Sequence, residues 1–410
     1  MAFANNKKVK LIASMVDDDM AYIKGSKSYF SQDEVKGKKF GQTVSGYLAD
    51  PGTVHDGIVA NPDSISEIEI TATMQNKNSS CELDLWNEFT DIEDFAKEIA
   101  EPRAKNLALT AQKAIMDANM IRSCQAVVAT TAGFGLLAKS AKALDELGVA
   151  GKKLSFQSPN IMGDIAESGL SRFIPTEQMK KIYDDAYLGQ YAGAAQIEIA
   201  NTPVIDTTDQ ETAPTITLTA VTDSLGDNIG CAAIKVATSA NNSKKFIKGG
   251  AYSVSGLYIR NAAGQETNQP FVIIIQESKN GGSGVTASIP EIRIAAAGTG
   301  YNNANAWMSQ SALNSAITTG YLTLTPLLTG SKHYAVGQCR TESALGFDQY
   351  RFGNLPGSEN SDVATAGNVT IKMGEFGDGK NGVKLVRLDF PFVAKIFDVR
   401  ESVTTYLLLD

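Results

Sequence analysis

The stretch Thr90–Val128, TDIEDFAKEIAEPRAKNLALTAQKAIMDANMIRSCQAVV, carries the strongest periodic signal in the 410-residue chain. Thr90 and Glu93 have the spacing of a capping box, in which each side chain satisfies an orphan N–H of a helix start. Ile92, Phe95, Ala96 and Ile99 follow at helical intervals. Pro102 interrupts them; it lacks an N–H and fixes φ, so it suits the first turn of a second helix. From there Leu107, Ala108, Ala111, Ala114, Ile115, Ala118 and Ile121 trace one apolar face. Lys105, Gln112, Lys113, Asp117 and Asn119 lie mostly off it. Continued to Val128, such a helix is about 40 Å long. It suits either the core of an ordinary enzyme or the spine of a flat, shell-forming subunit. Periodicity by itself favours the enzyme; the surrounding chain shifts the balance.

Composition narrows the classes. The chain is 43% hydrophobic and 20% charged, enough for a sizeable core and two or three domains. A net charge of −8 leaves no basic surplus to displace phosphate counterions, which argues against a dedicated nucleic-acid binder but not against a protein that encloses nucleic acid. Thirty-six glycines with sparse charge suit sheet-rich chains with many turns. Cys81, Cys124, Cys231 and Cys339 share no metal or disulfide spacing and read as reduced, mostly buried thiols. Met1–Lys10 has charge but no following apolar run of signal-peptide length, and no stretch reads as a membrane span. The expected setting is a cytoplasm, or something assembled in one.

Along the chain, residues 1–39 read as an extension. Val9, Leu11, Ile12, Met15, Val16, Met20 and Ile23 can form one amphipathic helix, while Asp17–Asp19 and Lys36, Lys38 and Lys39 leave the rest polar. Such a segment either frays or lies on a neighbouring molecule. Phe40–Leu48 and Ile65–Thr73 alternate as strands around the turn-rich tip Ala49–Gly57. Residues 40–85 therefore read as a protruding two-stranded arm, and a lone hairpin wants a surface to lie on. Helices are expected at Ala138–Leu147, Ile161–Ser168 and Pro175–Ile182, with strands at Lys153–Phe156 and Ala195–Ile199.

Near residue 207 charge thins, and Thr, Ala, Val, Ile and Gly dominate to about 330. Strands are expected at Thr215–Thr219, Ala232–Ala237, Tyr252–Ile259, Phe271–Gln276, Ser288–Ala295 and Tyr321–Leu328, an all-β unit inserted in an α/β chain. Asn368–Gly374 and Val383–Phe390 form a hairpin around Gly377–Gly382. A last strand at Val393–Val399 precedes the tail Thr404–Leu409.

No stretch carries a recognisable chemistry. His55 and His333 have no partner at metal-ligand spacing, and neither a Gly-x-Ser-x-Gly nor a His-Glu-x-x-His element occurs. Gly281–Gly284 lacks the Lys-Ser/Thr of a phosphate loop. Asp378–Gly382 places Lys380 where a calcium loop needs a carboxylate, so a hairpin turn is the better account. The reading assigns no catalytic residue, no cofactor site and no metal ligand.

The order of parts resembles the major capsid proteins of tailed bacteriophages with the Hong Kong 97-type fold, and more closely the podophage coat proteins with an insertion domain, of the P-twenty-two kind. The likeness rests on Glu101-Pro102-Arg103 opening the spine helix, Phe156-Gln157-Ser158-Pro159, and Asp184–Gly189 leading through Gly193 to Pro203. It rests further on Asp362–Thr365 and on Glu375–Gly379 before Lys384–Phe392. The resemblance implies an α+β fold with an N-terminal arm at 1–39 and an extended loop at 40–85. A P-domain would comprise 86–134 and 376–410, an A-domain 135–206 and 331–375, and the inserted β-rich domain 207–330. It implies self-assembly into hexamers and pentamers of an icosahedral shell, with a scaffolding protein, a portal and non-specifically packaged double-stranded DNA as partners. No membrane is implied, and assembly would occur in the bacterial cytoplasm. Some members crosslink a loop lysine to a neighbour's asparagine; Lys77 lies in that region, but no crosslink is expected. A β-rich surface adhesin and an α/β enzyme with a binding module are the alternative readings.

Overall fold

The computed structural model describes residues 2–31, 35, 40–49, 57–58, 67–84, 101–131, 133–167, 190–222, 228–237, 244–280, 285–297, 304–350, 358, 360–378 and 383–409. The expected capping box at 90–93, the helix at 175–182, Asp184–Gly189, His55, Lys36, Lys38, Lys39 and the turns at 281–284 and 379–382 lie outside them. The fold is mixed α+β. The described helices are α1 (Ala2–Asp19), α2 (Glu101–Asn119), α3 (Phe134–Glu146), α4 (Pro159–Glu167) and α5 (Gln310–Thr319).

The chain forms two units: residues 1–48, 69–116 and 345–397 in the first, and 49–68, 117–344 and 398–410 in the second. At the centre of the first runs the long strand Val383–Ile396. It pairs antiparallel with Val369–Asp378 on one side and Gln75–Asp84 on the other, and its end pairs with Leu345–Asp348. Ile371, Met373, Val386, Leu388, Phe390 and Phe392 are buried, the alternate positions of a sheet with one dry face. The hairpin Thr43–Ala49/Glu67–Thr73 is a separate two-stranded sheet. Only this part of residues 40–85 is a free-standing hairpin; Gln75–Asp84 belongs to the main sheet.

The N-terminal segment departs from expectation. Helix α1 forms, but it lies on this chain's own strands Asn360–Ala366 and Val369–Asp378. Val9, Ile12, Ala13, Val16, Met20, Tyr22 and Ile23 are buried. The turn between those strands needs a glycine: Gly367 has φ +53°, and a Cβ there would meet the Asp17 carboxylate. That carboxylate instead accepts the Asn368 N–H at 3.1 Å. The Tyr22 N–H donates to Gln112 Oε1 on α2 at 3.1 Å.

Helix α2 is shorter than its sequence suggests. It spans 19 residues and ends at Asn119, about 28 Å at 1.5 Å per residue. Beyond it, Ala126–Ala129 is a strand running parallel to Ser402–Leu408. The β-branched pair Val127-Val128 suits a pleated sheet better than a helix, and Ser123 Oγ bonds both the N–H and C=O of Gln125, turning the chain.

The second unit holds two sheets. Its seven-stranded sheet includes Ala126–Ala129, Ser402–Leu408, His333–Thr341, Lys153–Gln157, Ala194–Glu198 and Gln190–Tyr191 in that order, with Val204–Asp206 pairing to His333–Thr341. The C-terminal strand Ser402–Leu408, expected as a tail, is buried on both faces as an inner strand. The eight-stranded sheet runs Glu266–Ile274, Ala251–Arg260, Ala306–Met308, Ile294–Ala296, Asn228–Ala237, Thr215–Thr222 and Leu322–Thr323, with Thr325–Pro326 pairing to Ala251–Arg260. Of the stretch Ser288–Ala295 only the end is strand, and Tyr321–Leu328 is reduced to two short pairings. The region expected as an insertion shares one core with its surroundings: Cys124, Leu147, Val149 and Val399 pack with Phe246, Leu257, Phe271 and Ile273. Tyr406 Oη donates to Gly249 O at 2.9 Å.

Candidate functional site

Polar groups that could carry chemistry are first tested by what holds them. His333 opens the strand His333–Thr341, with Nε2 4.0 Å from Asp206 Oδ2; both side chains are about half exposed. Asp206 accepts the Thr208 N–H at 2.8 Å, and the Thr208 hydroxyl and N–H hold its carboxyl below the usual range. A solvated pair at that distance contributes little.

In the second unit Arg400 forks onto Asp398, Nε to Oδ1 at 2.9 Å and Nη2 to Oδ2 at 2.6 Å, and Nη1 donates to Asn261 O at 2.9 Å. Asp398 Oδ1 also caps the Arg400 N–H. Glu401 beside them accepts the hydroxyls of Thr341 at 2.8 Å and Ser343 at 3.1 Å. Burial raises the Glu401 carboxyl above its ordinary value despite those bonds. The group fixes the 3₁₀ turn Val399–Glu401 ahead of the last strand. In the first unit Asp389 accepts Asn76 Nδ2 at 2.7 Å and Arg387 Nη2 at 2.8 Å, and Lys372 stands opposite it in register. These bonds lie within and between strands of one sheet, where a buried carboxylate serves structure.

The thiols of Cys124 and Cys339 are inert by the same test. Burial pushes the Cys339 thiol up to about 12 and raises Cys124 further, so neither forms a thiolate near neutrality. Among the described residues no group of three or more His, Cys, Asp or Glu side chains could hold a metal ion. In the acidic run 17–19, the Asp17 carboxylate is engaged by the Asn368 N–H. Lys77 sits within a strand opposite Phe390. Also among the described residues, no helix is long and apolar enough to cross a membrane.

Two cavities are notable. One in the first unit, about 370 Å³, is lined by Ser26, Ser28, Asp348, Gln349, Thr365 and Thr370 among others. Its carboxylate is engaged: the Ser28 hydroxyl donates to Asp348 Oδ1 at 2.6 Å and the Phe30 N–H to Oδ2 at 3.2 Å. Burial nevertheless raises the Asp348 carboxyl. Gln349 is held by Thr370 and Pro391, so the cavity floor is rigid rather than receptive. The second, about 410 Å³ in the other unit, lies between Ala126-Val127, α3 and Gln269–Val272.

The open apolar surface lies elsewhere. Phe40 is 66% exposed and Tyr47 47%, both on or beside the 43–49/67–73 hairpin, and Ile58 in its connection is fully exposed. Among the described residues the hairpin packs through one face. Val44, Ile70 and Ala72 are buried. Gly46 and Gly346 leave a slot for the Phe397 ring, since a Cβ at either would come within 2.4 Å of it. Tyr29 stacks on that ring at 4.4 Å and Phe30 meets it edge-on at 5.1 Å. Sequence patterning located the hairpin but not the slot, whose glycines carry no motif.

No family model matches the chain, and no curated protein matches it. Among solved structures, the chain is similar to one from Mycobacterium phage Che8, at 11% identity and TM-score 0.40 over 92% of each chain. It is similar to a chain in the capsid structure of the cyanophage P-SCSP1u, at 8% identity and TM-score 0.43, covering 94% of this chain and 86% of that one. A chain in the head structure of Helicobacter pylori bacteriophage KHP40 gives 10% identity and TM-score 0.43, with 94% and 87% covered.

Proposed function

We propose that this chain is the major capsid protein of a tailed, double-stranded DNA phage, with the Hong Kong 97-type fold and a β-rich insertion. The observation that carries the reading is the one-sided hairpin. It is anchored through Phe397 and leaves Tyr47 and the adjacent Phe40 open to solvent. An exposed two-stranded hairpin with large apolar side chains is stable when it lies on another surface. Repetition of the same contact from copy to copy closes rings and shells. Each contact can be weak, because a subunit held by several neighbours gains through multivalency. Such a role needs no catalysis.

In this reading the extended loop is the hairpin 43–73 with its connection, and the P-domain is the sheet around Val383–Ile396 with α1 and α2. The A-domain is the seven-stranded sheet, and the insertion is the eight-stranded one. Partners are other copies of the chain in hexamers and pentamers, a scaffolding protein, a portal and packaged DNA; the place is the virion, assembled in the host cytoplasm. The test is electron microscopy of the chain expressed in bacteria, alone and with a scaffolding protein. Closed polyhedral shells, sheets or tubes support the reading. A monodisperse monomer in every condition overturns it.

A further inference from the structure

Ala126–Ala129 is the outermost strand of the seven-stranded sheet, and among the described residues only Ser402–Leu408 pairs with it. Gln125 O accepts the Thr404 N–H at 3.1 Å. Backbone groups alternate sides along a strand, so Val127 and Ala129 turn theirs toward Ser402–Leu408, while the N–H and C=O of Ala126 and Val128 face away from the sheet. The stretch Ala-Val-Val-Ala has none of the charge, proline or bulge that guards a solvated edge. The outermost strand Glu266–Ile274 of the eight-stranded sheet, by contrast, carries Glu266 and Pro270. The Val272 N–H donates to Cys124 O at 2.9 Å, which joins the two edges at one corner. Beside that corner lies the cavity of about 410 Å³, lined by Gln125, Ala126, Val127 and Pro270 and, from α3, Lys139 and Lys142.

Two features of the cavity point to a ligand. Gln125 is 6% exposed; its Nε2 reaches Ala143 O at 3.5 Å, while Oε1 has no hydrogen-bond partner. A buried acceptor without a donor is costly, and a ligand N–H would remove that cost. The second feature is charge at the rim. Lys142 meets Glu146 at 3.2 Å, Glu146 also accepts Gln269 Nε2, and Lys139 has no ion-pair partner among the described residues. Two lysines against one glutamate leave the rim positive in a chain of net charge −8.

We propose that this edge and cavity form a docking site for an extended, acidic peptide segment of another protein, added as a strand beside Ala126–Ala129. The outward backbone groups of Ala126 and Val128 ask for another backbone, which main-chain bonding of an extended segment supplies. A further N–H of that segment satisfies Gln125 Oε1. Alternate side chains of the segment face opposite ways, so one set covers the apolar wall while Lys139 and Lys142 select carboxylates in the other. A copy of this chain docking edge to edge would set these lysines against themselves, so the partner is a different chain.

The proposal does not rest on the shell reading, because binding is read with a free peptide whether or not shells form. Fluorescence anisotropy with the full-length chain follows a fluorescein-labelled peptide that alternates valine and aspartate. A valine–lysine peptide and a proline–aspartate peptide, which lacks every second backbone N–H, are titrated alongside. Val128→Pro removes one outward N–H and leaves the ladder to Ser402–Leu408 intact, a change that edge strands accept; Val128→Ala keeps that N–H. Lys139→Glu/Lys142→Glu reverses the rim, and circular dichroism checks that each variant is folded. The expected result is salt-sensitive binding of the valine–aspartate peptide alone. It weakens about tenfold in Val128→Pro, is unchanged in Val128→Ala and is lost on charge reversal. Should Val128→Pro lose its native dichroism, Gln125→Leu replaces it, and the same weakening is expected. A wild type that fails to bind the peptide, equal binding of the proline peptide, or an edge variant that binds as wild type does overturns strand addition. Equal binding of the lysine peptide, or binding that survives charge reversal, overturns the acidic partner. Self-association of the wild type that Val128→Pro abolishes, with no peptide bound, overturns the proposal in favour of a second copy.

Discussion

The N-terminal segment 2–31 and the hairpin 43–73 look alike on paper, each a short amphipathic run set among polar residues, yet the fold treats them oppositely. Helix α1 buries an unbroken row from Val9 to Met20 on its own sheet and is locked by Asp17 and Tyr22. The hairpin buries Val44, Ile70 and Ala72 on one side and leaves Tyr47 open on the other. The difference shows that an amphipathic period says that a face will be covered, not by what. Each side chain of α1 adds about 1.5–3 kcal/mol when fully buried, so a helix with several of them binds the nearest apolar sheet of its own chain before any neighbour arrives. The hairpin has too little of its own to bury.

Several substitutions would break or sharpen that contrast. Ile12→Asp places an unpartnered charge at a fully buried α1 position, and the expected loss is about 4 kcal/mol or more. Urea denaturation reads it, and a loss under 1 kcal/mol would show that α1 is not part of the folded core. By the same reasoning deletion of 1–39 is expected to unfold the first unit. Gly346→Ala pushes a Cβ into the Phe397 ring, with an expected cost of about 1–3 kcal/mol from overpacking; a neutral effect would mean that the slot has room to relax. Asp17→Ala removes the acceptor of the Asn368 N–H, for which about 1 kcal/mol is expected. Tyr47→Ser should change stability by less than about 0.5 kcal/mol while shifting shell yield in electron micrographs. Should it unfold the chain instead, the hairpin is not an open surface.

A further expectation concerns pH. The Glu401 carboxyl is raised in the folded chain above its ordinary 4.5. A carboxyl raised on folding contributes stability that is fully present below the unfolded value and lost as pH rises through the folded one. Stability should therefore decline as pH rises from about 4.5, and Glu401→Gln should flatten that part of the profile. Asp348, raised for the same reason, adds to the slope. Denaturation midpoints taken across the range at constant ionic strength measure it. An unchanged slope in Glu401→Gln would exonerate this group.

Much of the element order is legible in the sequence. The start of helix α2, helix α3, the strand Lys153–Gln157 and the pairing of Val369–Asp378 with Val383–Ile396 follow their patterns. Local patterning failed where a pairing decides. Ala126–Ala129 continues the apolar face of α2 on a helical wheel, but Ser402–Leu408 offers a parallel strand partner. Gln75–Asp84 is polar enough to read as part of an arm, but it completes the main sheet because Val383–Phe392 needs a neighbour. The thinning of charge after residue 207 is visible in the letters; the pairing of Leu322–Thr323 with Thr215–Ile216 is not.

The sequence by itself determined the periods, the caps, the charge balance and the order of helix, strand and turn, because these depend on neighbours within a few residues. Only the tertiary structure decided that α1 lies on its own chain, that the last strand is an inner one, and that Gly46 and Gly346 exist to admit Phe397. Those outcomes depend on which distant segment is close enough to exclude water or supply a backbone partner, and residues hundreds of positions apart leave no local trace of meeting.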